Sequence, residues 1–519
     1  MKRVISWMAI ASTACVGLAS CGSSHSATDS GADSCVPGVV RDCTCSGDEE
    51  GVEVCQPDGL TWSTCECVPD VADADADTDV DADVDVDGDA DVDGDADADA
   101  DSDEPWDIAF TSTADFGRYP SIDVAEDGAV GVAYFSYASI DDGLCDTGTP
   151  TTLYRYPIAY SHLEPGGAWA TEEVARPPHL DAPHGLSFRF SPDGDATIAV
   201  FGGDPVDVLC SANDALFGVR EPTGWTFETA AAASGETPVP DGATCSAAVS
   251  TAGYAVGAWP ALAYDAAGHP AIQYRDIHFG GIQHEDLTRS DVELALREDG
   301  WDHLMVDCGG GAGARNAAVF DSLDRFIGAF LATTDVTAGR VGLWLARREA
   351  NETLSTIHLA TGVVEITESS LTDQGDGRVA IAYYDAAAQG ASVAELDAAG
   401  SFDDAASWTV ERVSDDTFDE GRSPSLEMAP TGELALAYGR CARAGGGLCS
   451  SVDDGVVFAW RDHDGRWTRE LIDDGGEGHC GDNVSLAIGT TGDIWVAYTC
   501  QAADGVHTEL RVARRNPLP

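Results

Sequence analysis

Lysine is all but missing from this 519-residue chain, occurring once, at Lys2. Lysine and arginine together number 27 against 91 aspartates and glutamates, for a formal net charge of −64. That balance leaves no basic stripe, which excludes nucleic-acid binding and attraction to a bare anionic lipid surface. Long apolar runs are scarce too. Beyond the first 20 residues nothing approaches the roughly 20 apolar positions of a membrane-spanning helix. Common catalytic signatures are also missing: there is no HExxH, no phosphate-loop glycine run and no G-x-S-x-G elbow. Stretches with helical 3.6-residue periodicity are few, which argues against a parallel α/β fold.

What is present begins with a basic start, Met1-Lys2-Arg3, and a mostly apolar stretch over residues 4–16. Residues 1–20 have the shape of a secretory signal. The phrase Leu18-Ala19-Ser20-Cys21 resembles a bacterial lipobox. That resemblance implies cleavage before Cys21 and lipid on its thiol. The membrane is then a partner through that lipid, and the chain belongs at the cell envelope, in the outer membrane or at the cell surface.

Residues 21–34 read as a polar tether, and residues 35–67 as a compact module with Cys35, Cys43, Cys45, Cys55, Cys65 and Cys67. A segment this short buries little core, so disulfides are expected to order it. The Cys43/Cys45 spacing does not suit zinc. The module resembles those that follow lipoboxes in lipoproteins of myxobacteria and their relatives. Residues 68–105 form an Asp-rich linker whose like charges and small side chains predict disorder. Asp83 to Gly88 and Asp89 to Gly94 mimic the opening of a calcium loop, but Gly94 and Ala100 stand where an EF-hand needs glutamate. Weak, diffuse calcium association is the cofactor expectation there, with no specific cofactor.

Residues 106–519 repeat one phrase: an apolar strand, a tight Asp/Gly turn, then a strand rich in Ala, Val, Ile and Tyr. The turn landmarks Gly128, Gly194, Gly268, Asp324, Gly377, Gly432 and Gly492 fall roughly 50 to 75 residues apart. Most copies continue into a third strand and a fourth introduced by tryptophan, at Trp169, Trp225, Trp301, Trp408 and Trp467. Four antiparallel strands at this period predict an all-β, seven-bladed β-propeller. The last unit lacks its tryptophan strand, and residues 106–111 supply the missing phrase, so they are expected to close the ring. The remaining cysteines, Cys145, Cys210, Cys245, Cys308, Cys441, Cys449, Cys480 and Cys500, are even in number, as disulfides require. Cys441/Cys449 and Cys480/Cys500 are plausible local pairs.

The rhythm resembles sialidase-like and related β-propellers. The chain departs from their S-x-D-x-G-x-x-W box, since Ser191-Pro192-Asp193-Gly194 lacks both spacing and tryptophan. Their three-arginine clamp does not map residue by residue, although Arg118, Arg189, Arg315, Arg378 and Arg422 fall near equivalent starts or turns. Gly117-Arg118-Tyr119-Pro120-Ser121 and Gly421-Arg422-Ser423-Pro424-Ser425 recur at the start of two innermost strands. Arg118 and Arg422 are therefore the ligand-binding candidates, suited to an anionic sugar or carboxylate, with pairing to nearby aspartates as the structural alternative. His278, His284 and Glu285 form the most metal-like cluster. The leading functional expectation is recognition of an extracellular glycan or protein without catalysis. A polysaccharide-directed hydrolase or lyase and a structural envelope protein are the alternatives.

Overall fold

The computed structural model describes residues 105–112, 117–136, 157–174, 185–202, 214–232, 255–277, 290–308, 311–333, 339–349, 353–414, 418–441, 454–476, 479–501 and 507–518. It also describes the backbone of three short N-terminal strands. Two units are distinguished, Met1–Ala98 and Asp99–Pro519. In the first, β1 (Val40–Thr44), β2 (Glu50–Val54) and β3 (Glu66–Cys67) form an antiparallel sheet in that order. Cys43 stands opposite Gly51, which in turn stands opposite Cys67.

The second unit is a seven-bladed β-propeller. Blade 1 is β5 (Arg118–Val124), β6 (Val130–Phe135), β7 (Ile158–Leu163) and β8 (Ala170–Val174). Blade 2 is β9 (Leu186–Phe190), β10 (Ala196–Gly202), β11 (Asp214–Glu221) and β12 (Gly224–Ala231), and blade 3 is β13 (Ala255–Tyr264), β14 (Pro270–Ile277), β15 (Ser290–Arg297) and β16 (Trp301–Asp307). Blade 4 runs through β17 (Ala312–Phe320), β18 (Phe326–Ala332), β19 (Gly342–Arg348) and β20 (Leu354–Thr361). Blade 5 splits its inner strand into β21 (Val364–Glu365) and β22 (Leu371–Gly375), followed by β23 (Arg378–Asp385), β24 (Gly390–Leu396) and β25 (Trp408–Arg412). Blade 6 is β26 (Asp419–Met428), β27 (Leu434–Cys441), β28 (Gly455–Arg461) and β29 (Trp467–Asp473). Blade 7 is β30 (His479–Ile488), β31 (Ile494–Gln501), β32 (Thr508–Arg515) and, as its outer strand, β4 (Trp106–Thr111). The ring therefore closes as the tryptophan phrase predicts, with Trp106 opposite Arg515 and Thr111 opposite Arg511.

The inner hairpins follow from their turn residues. Gly128, Gly194, Gly268, Gly432 and Gly492 take positive φ between 86° and 95°, where a Cβ is unfavourable. Asp324 stands at the equivalent turn in blade 4 and adopts the left-handed conformation itself, with φ 60°. In blade 5 the turn shortens to Asp376-Gly377, both at positive φ, between the paired Gly375 and Arg378.

Among the described residues the apolar core divides into seven clusters, six of them shared by two adjacent blades and one reaching a third through Ala258 and Ile277. One joins Phe135, Ile158 and Tyr160 of blade 1 to Phe188, Ile198 and Val200 of blade 2. Another joins Val132 and Tyr134 of blade 1 to Trp495 and Val512 of blade 7. The repeated tyrosines Tyr134, Tyr274, Tyr438 and Tyr498 are fully buried in these layers. Near the axis a girdle of serines links the blades. The Ser121 hydroxyl accepts from Phe188 N–H (2.9 Å), Ser187 from Leu262 (3.0 Å), Ser425 from Leu486 (2.8 Å) and Ser485 from Ile122 (3.2 Å).

Candidate functional site

The inner-hairpin registers put Ile122, Phe188, Leu262, Ala318, Leu371, Leu426 and Leu486 at one level of the axis. Three residues earlier in each blade come Tyr119, Gly185, Trp259, Arg315, Glu368, Ser423 and Asn483. All seven line a single open depression at the channel mouth, together with Glu365. Every blade thus contributes its equivalent residue to the site, and blade 5 adds Glu365.

Local sequence aims these side chains. Gly117, Gly257, Gly421 and Gly481 stand two residues ahead of Tyr119, Trp259, Ser423 and Asn483. A Cβ on Gly257 would lie 2.5 Å from the Ala215 backbone, and one on Gly421 would lie 2.4 Å from Ala391 N. The chain passes so close to the preceding blade that only glycine fits. The ladder slips between Ala258 and Ala261 and between Arg422 and Ser425. Within that slip Tyr119, Trp259, Ser423 and Asn483 take left-handed φ of 48° to 53°. Proline follows at Pro120, Pro260 and Pro424, where the interrupted ladder needs no donor. Left-handed backbone at four non-glycine residues costs energy and re-aims their side chains into the mouth.

Trp259 reaches over Gly185, whose missing side chain makes the room: a Cβ there would lie 2.7 Å from the indole. Tyr119 meets Trp259 edge-on, with ring centroids 5.4 Å apart. The Arg315 guanidinium stacks 3.6 Å from the Trp259 ring centroid and lies 5.6 Å from that of Tyr119. Asn316 donates to the Trp259 carbonyl at 2.8 Å, fixing blade 4 against blade 3. Across the mouth, burial raises the Glu368 carboxyl pKa, opposed by the Arg189 charge, its own backbone N–H, Ser121 and Arg315. Its Oε1 has no hydrogen-bond partner among the described residues. Glu365 accepts from the Ser423 hydroxyl at 3.4 Å.

One residue deeper than the hairpin level, Asp123, Arg189 and Glu427 share the axis. Burial pushes Glu427 up to about 7 and also raises Asp123, with Arg189 opposing both. Asp123, Glu368 and Glu427 are only half-buried by exposure. They touch a narrow axial space whose crowded protein walls, rather than bulk water, set their ionisation.

Arg118 and Arg422 sit at the rim, one residue before the mouth-facing position. Arg422 is engaged by the Asp419 carboxylate at 3.1 Å and lies over the Tyr384 ring at 4.8 Å. Arg118 is exposed, and its charge helps depress the Asp482 carboxyl. His479 bridges Asp454 (2.8 Å) and Asp482 (3.4 Å), and hydrogen bonds to these carboxylates raise it to about 9. The rim thus largely neutralises itself. The sequence reading passed over Tyr119, Trp259 and Glu368. For Tyr119 and Trp259 the signal was there in the Gly-x-X-Pro phrase, whose third residue faces the mouth; Glu368 follows no such phrase and left no signal.

Cys480 and Cys500, opposite each other on β30 and β31, are joined by a disulfide. Cys308 and Cys441 are also disulfide-bonded. Asp473, Cys480 and Cys500 group within 4.8 Å, a spacing that suits a metal ion. The disulfide, however, leaves only the Asp473 carboxylate as a donor, and Arg511 already holds it at 2.9 Å. Thiolate ligands would exist there only after reduction. Cys21, Cys35, Cys45, Cys55, Cys65, Cys145, Cys210, Cys245, Cys449, His278, His284 and Glu285 lie outside the described residues, as does the Asp-rich linker. Among the described residues no helix is long and apolar enough to cross a membrane.

No family profile matches the sequence, and no curated protein matches it. Solved structures similar to the chain include a protein of unknown function from Dyadobacter fermentans. It is 12% identical, with 79% of this chain and 98% of that one covered at a TM-score of 0.42. An α-L-arabinofuranosidase of Fusarium graminearum with arabinobiose is 11% identical over 79% and 98%, at 0.39. A polysaccharide lyase is 12% identical over 76% and 89%, at 0.40. The expectation of recognition without catalysis is corrected here. The mouth holds two carboxyls, Glu365 and Glu368, the second with a raised pKa, a pair suited to proton transfer.

Proposed function

We propose that the channel mouth is the active site of a polysaccharide-directed hydrolase or lyase, with Glu368 as its proton donor. The observation that carries this reading is a carboxyl with a raised pKa, its buried Oε1 without a partner among the described residues, in the lining of an open depression shared with Tyr119 and Trp259. A carboxyl whose ionised form is disfavoured keeps its proton nearer neutral pH and can hand it to a leaving glycosidic oxygen. Glu365, in the same depression, is the second carboxyl such chemistry needs: it activates water in hydrolysis or takes a ring proton in elimination. Tyr119 and Trp259 offer an apolar flank to a sugar ring, and Ser423 and Asn483 offer hydroxyl and amide groups for its hydroxyls.

The test is a panel of plant, algal and bacterial polysaccharides incubated with the full chain and with Glu368→Gln, read by product mass. The amide keeps the shape and removes the proton donor. Turnover should fall by about 10² to 10⁴, while retention of the polymer persists. Equal turnover by both proteins would remove Glu368 from the mechanism.

A further inference from the structure

We propose that the saccharide taken at this mouth is acidic, a uronate-containing chain, and that Arg315 is the residue that holds its carboxylate. The proposal rests on the reading of the mouth as a saccharide site.

The argument starts from scarcity. Acidic residues outnumber basic ones 91 to 27 in this chain, so an arginine readily finds a carboxylate. Many do: Arg220 pairs with Glu172 (2.8 Å), Arg325 with Asp321 (2.6 Å), Arg340 with Asp307 (2.6 Å) and Arg515 with Glu470 (2.9 Å). Arg422, at the rim of the same mouth, takes Asp419. Arg315 takes no ion-pair or hydrogen-bond partner among the described residues. It is nonetheless half-buried and placed by the fold at the mouth level.

Its orientation is fixed without a carboxylate. The guanidinium lies over the Trp259 ring, and Trp259 is itself seated over Gly185 and clamped by Asn316. Stacking uses the π face of the guanidinium and leaves its in-plane N–H groups free. Those donors are spaced to meet both oxygens of one carboxylate. The nearest acidic group at the same level, Glu368, sits one blade away and does not reach ion-pair distance. Glu365, the other mouth carboxyl, accepts from Ser423 and forms no ion pair with Arg315, and Ser423 and Asn483 are neutral. The site thus presents one preoriented, unpaired cation inside a strongly anionic protein. The planar guanidinium fork matches the planar two-oxygen edge of a carboxylate.

The experiment is calorimetric titration of the full chain with oligomers of galacturonate, glucuronate and mannuronate. The same oligomers as methyl esters, neutral oligosaccharides of matched length and a sulfated oligosaccharide complete the set. At least one free uronate oligomer should bind tenfold or more tighter than its methyl ester, with affinity falling as salt rises. Arg315→Gln should erase the difference between acid and ester, whereas Arg315→Lys should keep part of it. Esterification reads the same contact without altering the protein, so a poorly folded variant does not decide the matter. Esters or neutral sugars binding as tightly as the acids would overturn the acidic assignment and leave the saccharide site standing. A preference for acid that survives Arg315→Gln would remove Arg315 as the anchor. Tighter binding of the sulfated oligomer would overturn the carboxylate. Silence toward every sugar would overturn both this proposal and the reading beneath it.

Discussion

At the scale of the residue, position along the channel decides which acids behave unusually. Glu427 shares its level with Asp123 and Arg189, and burial lifts it from 4.5 to about 7. Below about pH 4.5 both folded and unfolded chains hold this proton. Between there and pH 7 the unfolded chain releases it while the folded chain keeps it, so stability falls as pH rises. Above pH 7 the full penalty remains. Glu427→Gln should therefore stabilise the protein at pH 7.5 by on the order of 1–2 kcal/mol, the channel's water screening part of the effect. The variant should also flatten the pH dependence of melting between 4.5 and 7. Parallel melting curves for both proteins across that range would show that Glu427 titrates normally. None of this was legible in the sequence, where Glu427 is one acid among 91.

At the scale of the element, the inner strand carries two devices in five residues. The glycine-led slip turns one side chain into the mouth, and the serine two residues later binds the neighbouring blade. Ser425 shows how much one hydroxyl holds: it accepts from Leu486 N–H at 2.8 Å and meets the Ser369 hydroxyl at 2.7 Å. Ser425→Ala leaves a buried amide without its acceptor and should cost about 1–3 kcal/mol, read as a shifted urea midpoint with unchanged slope. An unmoved midpoint would mean that blade packing alone carries that joint. Blades 3 and 4 have Ala261 and Ala317 at this position and use Asn316 and Gln273 instead, the latter donating to the Ala329 carbonyl at 2.8 Å. The alternation of these strands was readable in advance. The destination of each serine was not, because a hydroxyl on an inner strand carries no label for the blade it will meet.

At the scale of the whole molecule, closure is the governing event. β4 precedes blade 1 in the chain yet completes blade 7, and Trp106 packs edge-on against Phe458 at 5.2 Å while its indole N–H donates to Glu470 at 3.2 Å. Arg515 pairs with the same Glu470 at 2.9 Å, so first and last blade strands meet on one carboxylate. Removing residues 106–111 should expose the whole edge of β32 and drive self-association through it. Light scattering during size-exclusion chromatography reads that directly, and a monodisperse monomer of ordinary stability would show that closure is dispensable.

The blade number, the ring-closing strand and the packing role of the repeated tyrosines were decided by sequence alone. Each is a periodic property: apolar alternation, turn glycine and leading tryptophan recur in every copy or nearly so, and the repetition averages out local irregularity. The mouth was decided only by tertiary structure. Its residues come from seven blades, scattered from Tyr119 to Asn483, and they differ in type from blade to blade. Repetition hides such a set, because the mouth is built from the one position where the repeat does not repeat. Ring closure brings these positions together, and only then does Arg315 stand in the mouth with no ion-pair partner among the described residues.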